Sequence, residues 1–186
     1  MKKLLILFIG LTLAAFTTNS FNTDEDEINW MTLEEAIEAQ KEEPRKIMID
    51  AYTTWCGPCK LLDKNTFHNK DVVEYINENY YAVKFNAEGN EEIKYKGFTY
   101  KNPEFVADKK GRNSMHQLAS YFGVRAYPTL LFLDEKANVI GPIPGYKTPR
   151  QLEIYLKLFK DDEHKKITTK EVWNDYVTNF EYEFDE

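Results

Sequence analysis

Helical and strand-like segments alternate along this 186-residue chain, which predicts an α/β domain whose sheet is covered on both faces by helices. Two short apolar runs, Lys46–Tyr52 and Leu130–Leu133, have the length of buried strands, and segments of helical period stand on either side of them. With 42% hydrophobic and 15% aromatic residues, the chain has enough apolar material for one domain with a sizeable core.

The first twenty residues form a basic start at Lys2-Lys3, an apolar stretch and then small residues up to Ser20. These are the zones of a secretory signal, so residues 1–20 are expected to be removed and the protein exported to the periplasm. The apolar part, about 13 residues from Leu4 to Phe16, falls short of the roughly 20 that a membrane-spanning helix needs. No cysteine lies near the cut, which disfavours a lipid anchor.

After a polar spacer over 21–29, Thr32 and Glu35 predict the start of a helix with Leu33, Ala36 and Ile37 on its apolar face, ending before Pro44. Lys46–Tyr52 is the first buried strand. A helix follows from Pro58 to about Phe67, then a short one marked by Val72, Val73 and Ile76, then a strand over Tyr81–Asn86. Ile93-Lys94-Tyr95 and Phe98-Thr99-Tyr100 alternate around Lys96-Gly97, the pattern of a hairpin with a two-residue turn. Loop residues follow. Next comes a helix with Met115, Leu118, Ala119 and Phe122 on one face and Gly123 as its stop. Leu130–Asp134 and Asn138–Ile140 form an antiparallel pair, and Gly141-Pro142-Ile143-Pro144-Gly145 is expected to be an irregular link. Thr148-Pro149 starts a core helix bearing Leu152, Leu156 and Phe159. Beyond it, Thr168 and Glu171 suggest a capping box. Trp173, Tyr176, Val177 and Phe180 make an apolar stripe, to be covered either by this domain or by a partner.

Formal net charge is −7, and the segment 161–186 holds nine acids against Lys165, Lys166 and Lys170. No basic patch for nucleic acid is present. The two cysteines, Cys56 and Cys59, stand between the first strand and the next helix. There a helix N-terminus favours the thiolate of Cys56, and one helical turn brings Cys59 close enough to attack a mixed disulfide formed on Cys56. A purely stapling disulfide across so short a loop would remove little chain entropy. Zinc would need four ligands, and His68, His116 and His164 are scattered, so no metal is expected. His68 and His116 receive no role.

Trp55-Cys56-Gly57-Pro58-Cys59-Lys60 and Pro128-Thr129 resemble the signature hexapeptide and the cis-proline loop of the thioredoxin family. The stretch from Trp30 onward is most similar to exported thioredoxin-like reductants and to the C-terminal domain of DsbD-type electron carriers. The likeness covers 30–160, with an unmatched insertion over about 88–114, and leaves 161–186 as an acidic extension with an amphipathic helix. It implies a thioredoxin fold, a central mixed sheet flanked by helices. Asp50 matches the family's buried carboxylate and Lys84 the lysine beside it. The resemblance implies that Cys56 attacks, that the deeper Cys59 resolves, and that Asp50, its pKa raised by burial, takes the proton from Cys59 under the influence of Lys84. Gly57 leaves room for substrate, Pro58 stiffens the loop, and Trp55 lies beside the thiols as lid or platform. Pro128, if cis, exposes the backbone of Tyr127 to an extended substrate. Tyr127 itself departs from the family's branched aliphatic residue.

The implied activity is reduction of disulfides in exported proteins, recharged by a DsbD-type membrane donor. It needs no cofactor beyond the redox-active Cys56–Cys59 pair, and a monomer is favoured. The alternatives are a disulfide isomerase or oxidase, or a binding module with incidental redox activity.

Overall fold

Capping chemistry and a period of two, both written in the sequence, set the architecture. The computed structural model describes residues 27–186, so the expected signal and most of the spacer lie outside the described residues. In chain order the elements are β1 (Trp30–Met31), α1 (Leu33–Glu42), β2 (Lys46–Tyr52), α2 (Gly57–Asn65), α3 (Lys70–Asn79), β3 (Tyr80–Asn86), the hairpin β4 (Ile93–Tyr95) and β5 (Phe98–Tyr100), α4 (Gln117–Tyr121), β6 (Thr129–Leu133), β7 (Val139–Pro144), α5 (Pro149–Lys160), a 3-10 turn (Glu163–Lys166) and α6 (Lys170–Thr178). The main sheet runs β1-β3-β2-β6-β7. β1 and β2 are parallel to β3, whereas β6 is antiparallel to both β2 and β7, so the sheet is mixed. Thr32 with Glu35 and Thr148 with Gln151 form reciprocal capping boxes that start α1 and α5.

Alternation along the two central strands divides the core. Ile47, Ile49 and Ala51 of β2 with Leu131 and Leu133 of β6 pack against Leu33, Leu118, Phe122 and the hairpin residues Ile93 and Tyr95. Met48 of β2 with Leu130 and Phe132 of β6 faces the other way, onto Leu62, Val72, Ile76, Leu152 and Leu156. Asp50 belongs by parity to this second face, at the end of β2, and is 1% exposed. The hairpin has its two-residue turn at Lys96-Gly97, both at positive φ, as a turn matched to strand twist requires.

Four sequence expectations are corrected. The segment Gly141–Pro144 is not an irregular link but part of β7, whose register places Pro142 opposite Leu131 and Pro144 opposite Thr129. Prolines fit there because β7 is an edge strand, where the missing N–H groups can face away from the ladder. Met115 lies before α4 and is 41% exposed, so it takes no part in the buried face of Leu118 and Ala119. Thr169, not Thr168, caps α6, accepting from the Val172 N–H. Cys59 is not the deeper cysteine: both are buried, Cys56 at 2% and Cys59 at 5% exposure.

Half of the stripe on α6 packs on this domain, and no residue of the helix is fully buried. Trp173 and Tyr176 are half-buried against the second core, with Trp173 stacked on Tyr155 at 5.9 Å. The chain then returns along α5, where Phe184 is buried among the same residues. Glu153, wholly buried on α5, accepts the N–H groups of Glu183 and Phe184 at 2.8 and 3.1 Å and pairs with Lys157 at 2.7 Å.

Candidate active site

Cys56 is the N-cap of α2, and its Sγ accepts the Cys59 N–H at 3.1 Å. This is the position at which unsatisfied amides and the helix dipole stabilise negative charge, so a reduced Cys56 gains as thiolate. The two cysteines are joined in a disulfide in this structure. Pro58 occupies the first helical turn, where a missing N–H costs nothing. A Cβ at Gly57 would meet nothing within 4 Å, so the surface at Gly57, between the cysteines, is open.

Behind the cysteines is a charged cluster. The parallel ladder pairs Asp50 with Lys84, which puts their side chains on the same face. Lys84 Nζ lies 3.1 Å from Asp50 Oδ2 and 2.6 Å from Asp63 Oδ1, with the rings of Trp30 and Phe67 at 4.4 and 5.0 Å. Burial pushes the Asp50 carboxyl up to about 6 against the pull of Lys84, and the charge of Asp63 adds to the rise. Burial alone would lower Lys84, but Asp50 and then Asp63 outweigh it and hold the ammonium above its ordinary range. Asp50 and Cys59 both line a cavity of about 240 Å³, together with Tyr52, Thr53, Asp63 and Lys84. A carboxyl raised to about 6 therefore lines the same cleft as the second cysteine.

The other wall is the loop before β6. The Tyr127–Pro128 peptide bond is cis. The Pro128 carbonyl accepts the Gly145 N–H at 2.8 Å, and Thr129 Oγ1 donates to the Ala126 carbonyl at 2.7 Å. Among the described residues, no other backbone group engages the N–H or C=O of Tyr127. Its ring meets Trp55 edge-on at 5.9 Å, and burial, then the charge of Glu88, pushes the phenol up to about 12. Trp55 Nε1 donates to Glu88 Oε2 at 2.7 Å.

A family model for the thioredoxin-like domain matches residues 33–160. The chain belongs to the thioredoxin-like family. A Haemophilus influenzae protein described as uncharacterized is 26% identical over 164 residues, spanning 83% of this chain and 98% of its own. Among solved structures, a thioredoxin-fold protein from Helicobacter pylori superposes with a TM-score of 0.56 at 17% identity, over 83% of this chain and 91% of its own. A thioredoxin from Thermus thermophilus gives 0.53 at 15% identity, over 72% and 87%. These two likenesses establish the fold alone. The thioredoxin-like fold and the Cys56–Cys59 pair fit thiol:disulfide oxidoreductase chemistry.

Within this thioredoxin-like domain, Trp55, Gly57 and Pro58 adjoin the Cys56–Cys59 disulfide in the chain, Tyr127 of the cis Tyr127–Pro128 bond meets Trp55, and Asp50 and Lys84 line a cleft with Cys59. Sequence reasoning missed Asp63 and Glu88. Asp63 stands four residues after Cys59, one turn along α2 on the same side, and that spacing was the available signal. Glu88 carried no signal, because its partners Trp55 and Asn113 are distant in sequence. His116 also gains a role: it caps α4, accepting the Leu118 N–H at Nδ1 and donating from Nε2 to the Glu91 carbonyl at 2.8 Å. Among the described residues, no group of three or more His, Cys, Asp or Glu is arranged to hold a metal ion, and no helix is long and apolar enough to cross a membrane.

Proposed function

We propose that the protein is an exported reductase of protein disulfides. The observation that carries this reading is the cavity that Cys59 shares with the Asp50 carboxyl, behind a Cys56 sulfur held at a helix N-cap. In the reduced protein the Cys56 thiolate attacks one sulfur of a client disulfide. A new S–S bond forms as the client S–S bond breaks, and the departing client thiolate takes a proton. Cys59 then gives its proton to Asp50 and attacks Cys56 Sγ, forming the intramolecular disulfide and releasing the second client thiolate. Two electrons pass from the protein to the client.

The Gly57-Pro58 dipeptide is that of reducing thioredoxins, whose potential lies near about −270 mV, and it supports the reductive direction. The free backbone groups of Tyr127 give an extended client segment a place to pair as an added strand. Residues 1–20 carry the signal-like pattern that supports export, and an exported dithiol needs a donor to stay reduced. A DsbD-type membrane carrier that delivers two electrons by dithiol exchange meets that need. Clients are exported proteins with accessible disulfides, and the protein works as a monomer.

A redox titration of the Cys56–Cys59 pair against glutathione or dithiothreitol tests the direction. A potential at or below about −230 mV is expected; a value between about −180 and −120 mV belongs to an isomerase or oxidase and overturns the reductive reading.

A further inference from the structure

We propose that Arg112, in the insertion that precedes α4, is a specificity-determining residue that favours client disulfides flanked by acidic side chains. This rests on the reductase reading above. The Arg112 guanidinium lies over the ring of Trp55, its carbon 4.7 Å from the ring centroid, and Trp55 is the neighbour of Cys56. Arg112 is exposed and, among the described residues, has no ion-pair partner within 4.0 Å. The nearby acid, Glu88, is otherwise engaged: its Oε2 accepts from Trp55 Nε1 and from the Asn113 N–H, both at 2.7 Å. A guanidinium with one face on an aromatic ring keeps its edge donors in plane and available, which is the geometry that binds a carboxylate through two parallel hydrogen bonds.

The insertion fixes this placement. Asn113 Nδ2 donates to the Val106 carbonyl and its Oδ1 accepts the Val106 N–H, which closes the loop 106–113 on itself. Asn102 Nδ2 bridges the carbonyls of Gly89 and Ser114 at 2.9 and 2.8 Å, tying the two ends of the insertion together. Arg112 is therefore held at the end of a pinned loop, over the ring of the residue that precedes Cys56. An extended client chain rises about 3.3 Å per residue, so a side chain two or three residues from the client cysteine can reach over Trp55. The protein's net charge of −7 disfavours acidic chains at long range, and Arg112 supplies the local opposite charge at the site itself.

The test uses three disulfide-bonded peptides, identical except that glutamate, lysine or serine flanks the cysteines. Second-order rate constants for their reduction by the reduced protein are measured at low and high salt. The glutamate-to-lysine rate ratio is expected to fall about fivefold in Arg112→Gln and about twentyfold in Arg112→Glu, and these differences should shrink at high salt. Lys41→Glu makes the same charge change at the far end of α1, where the side chain is exposed, and should move the ratio less than about twofold. A ratio that is the same in the wild type and both Arg112 variants, with all peptides reduced, overturns this inference alone. Failure of the wild-type protein to reduce any peptide, serine-flanked included, overturns the reductase reading and this inference with it.

Discussion

Replacing Asp50 with asparagine should make the protein more stable and slower at its chemistry. Burial raises the Asp50 carboxyl from 3.8 to about 6, and each pH unit of such a displacement corresponds to about 1.4 kcal/mol, so ionised Asp50 costs the folded state about 3 kcal/mol at pH 7. The sign follows from proton binding. Between pH 3.8 and about 6 the folded state keeps a proton that the unfolded chain has lost, so stability declines as pH rises through that window and is level above it. Asparagine, neutral throughout, has no such decline. That figure is already net of the attraction of Lys84, whose ammonium lies 3.1 Å from Asp50, and Lys84 keeps its 2.6 Å contact with Asp63 in the variant. A net stabilisation of about 3 kcal/mol is therefore expected at pH 7.5, shrinking towards zero at pH 3.5. Urea unfolding of the oxidised wild type and variant at both pH values measures it. The same variant should resolve a mixed disulfide on Cys56 at least about tenfold more slowly, for want of a proton acceptor. A stability difference that is equal at both pH values would refute the reasoning about burial, and unchanged resolution would remove Asp50 from the mechanism.

Asp63→Asn removes a charge that helps raise Asp50, so the Asp50 titration should move to lower pH, and the pH dependence of mixed-disulfide resolution should move with it. Glu153→Ala leaves Lys157 and the N–H groups of Glu183 and Phe184 without their shared acceptor, at a cost of about 3 kcal/mol in urea unfolding, with earlier proteolysis after residue 178. Phe184→Ala opens a hole in the second core and should cost about 3 kcal/mol by the same assay, with no change in the redox potential of the distant cysteine pair.

Caps, buried strands and the Cys-x-x-Cys pair were legible in the sequence because each is a local pattern. Thr32 with Glu35 and Thr148-Pro149 predict helix starts that the structure has, and Lys46–Tyr52 is a strand over the same residues. The start of β7 was legible as a strand antiparallel to β6, but its continuation was not, since Gly141, Pro142 and Pro144 signal a break anywhere except at a sheet edge, and edge position is decided by the whole topology. The single-residue error at the α6 cap arose because Thr168 and Thr169 are equivalent as types and only backbone conformation separates them. At the site, the motif residues and, through the family resemblance, the distant Asp50, Lys84, Tyr127 and Pro128 were named; Asp63 was overlooked one turn from Cys59, and Glu88 and Arg112 reach Trp55 from across the fold. The depth of Cys56 was misjudged for a related reason: place in the chain does not tell how far folding buries a residue, and Cys56 is 2% exposed.

The two borders of the sheet bear on how crowded copies of this protein behave. One border is β1, only two residues long, and the other is β7, interrupted by two exposed prolines. Neither presents an uninterrupted ladder of donors and acceptors to another chain, so neither can template strand-by-strand growth into aggregates. Copies of the protein are thereby spared from capturing one another along the borders of the main sheet. The backbone of Tyr127, whose ring meets Trp55, is by contrast free to pair.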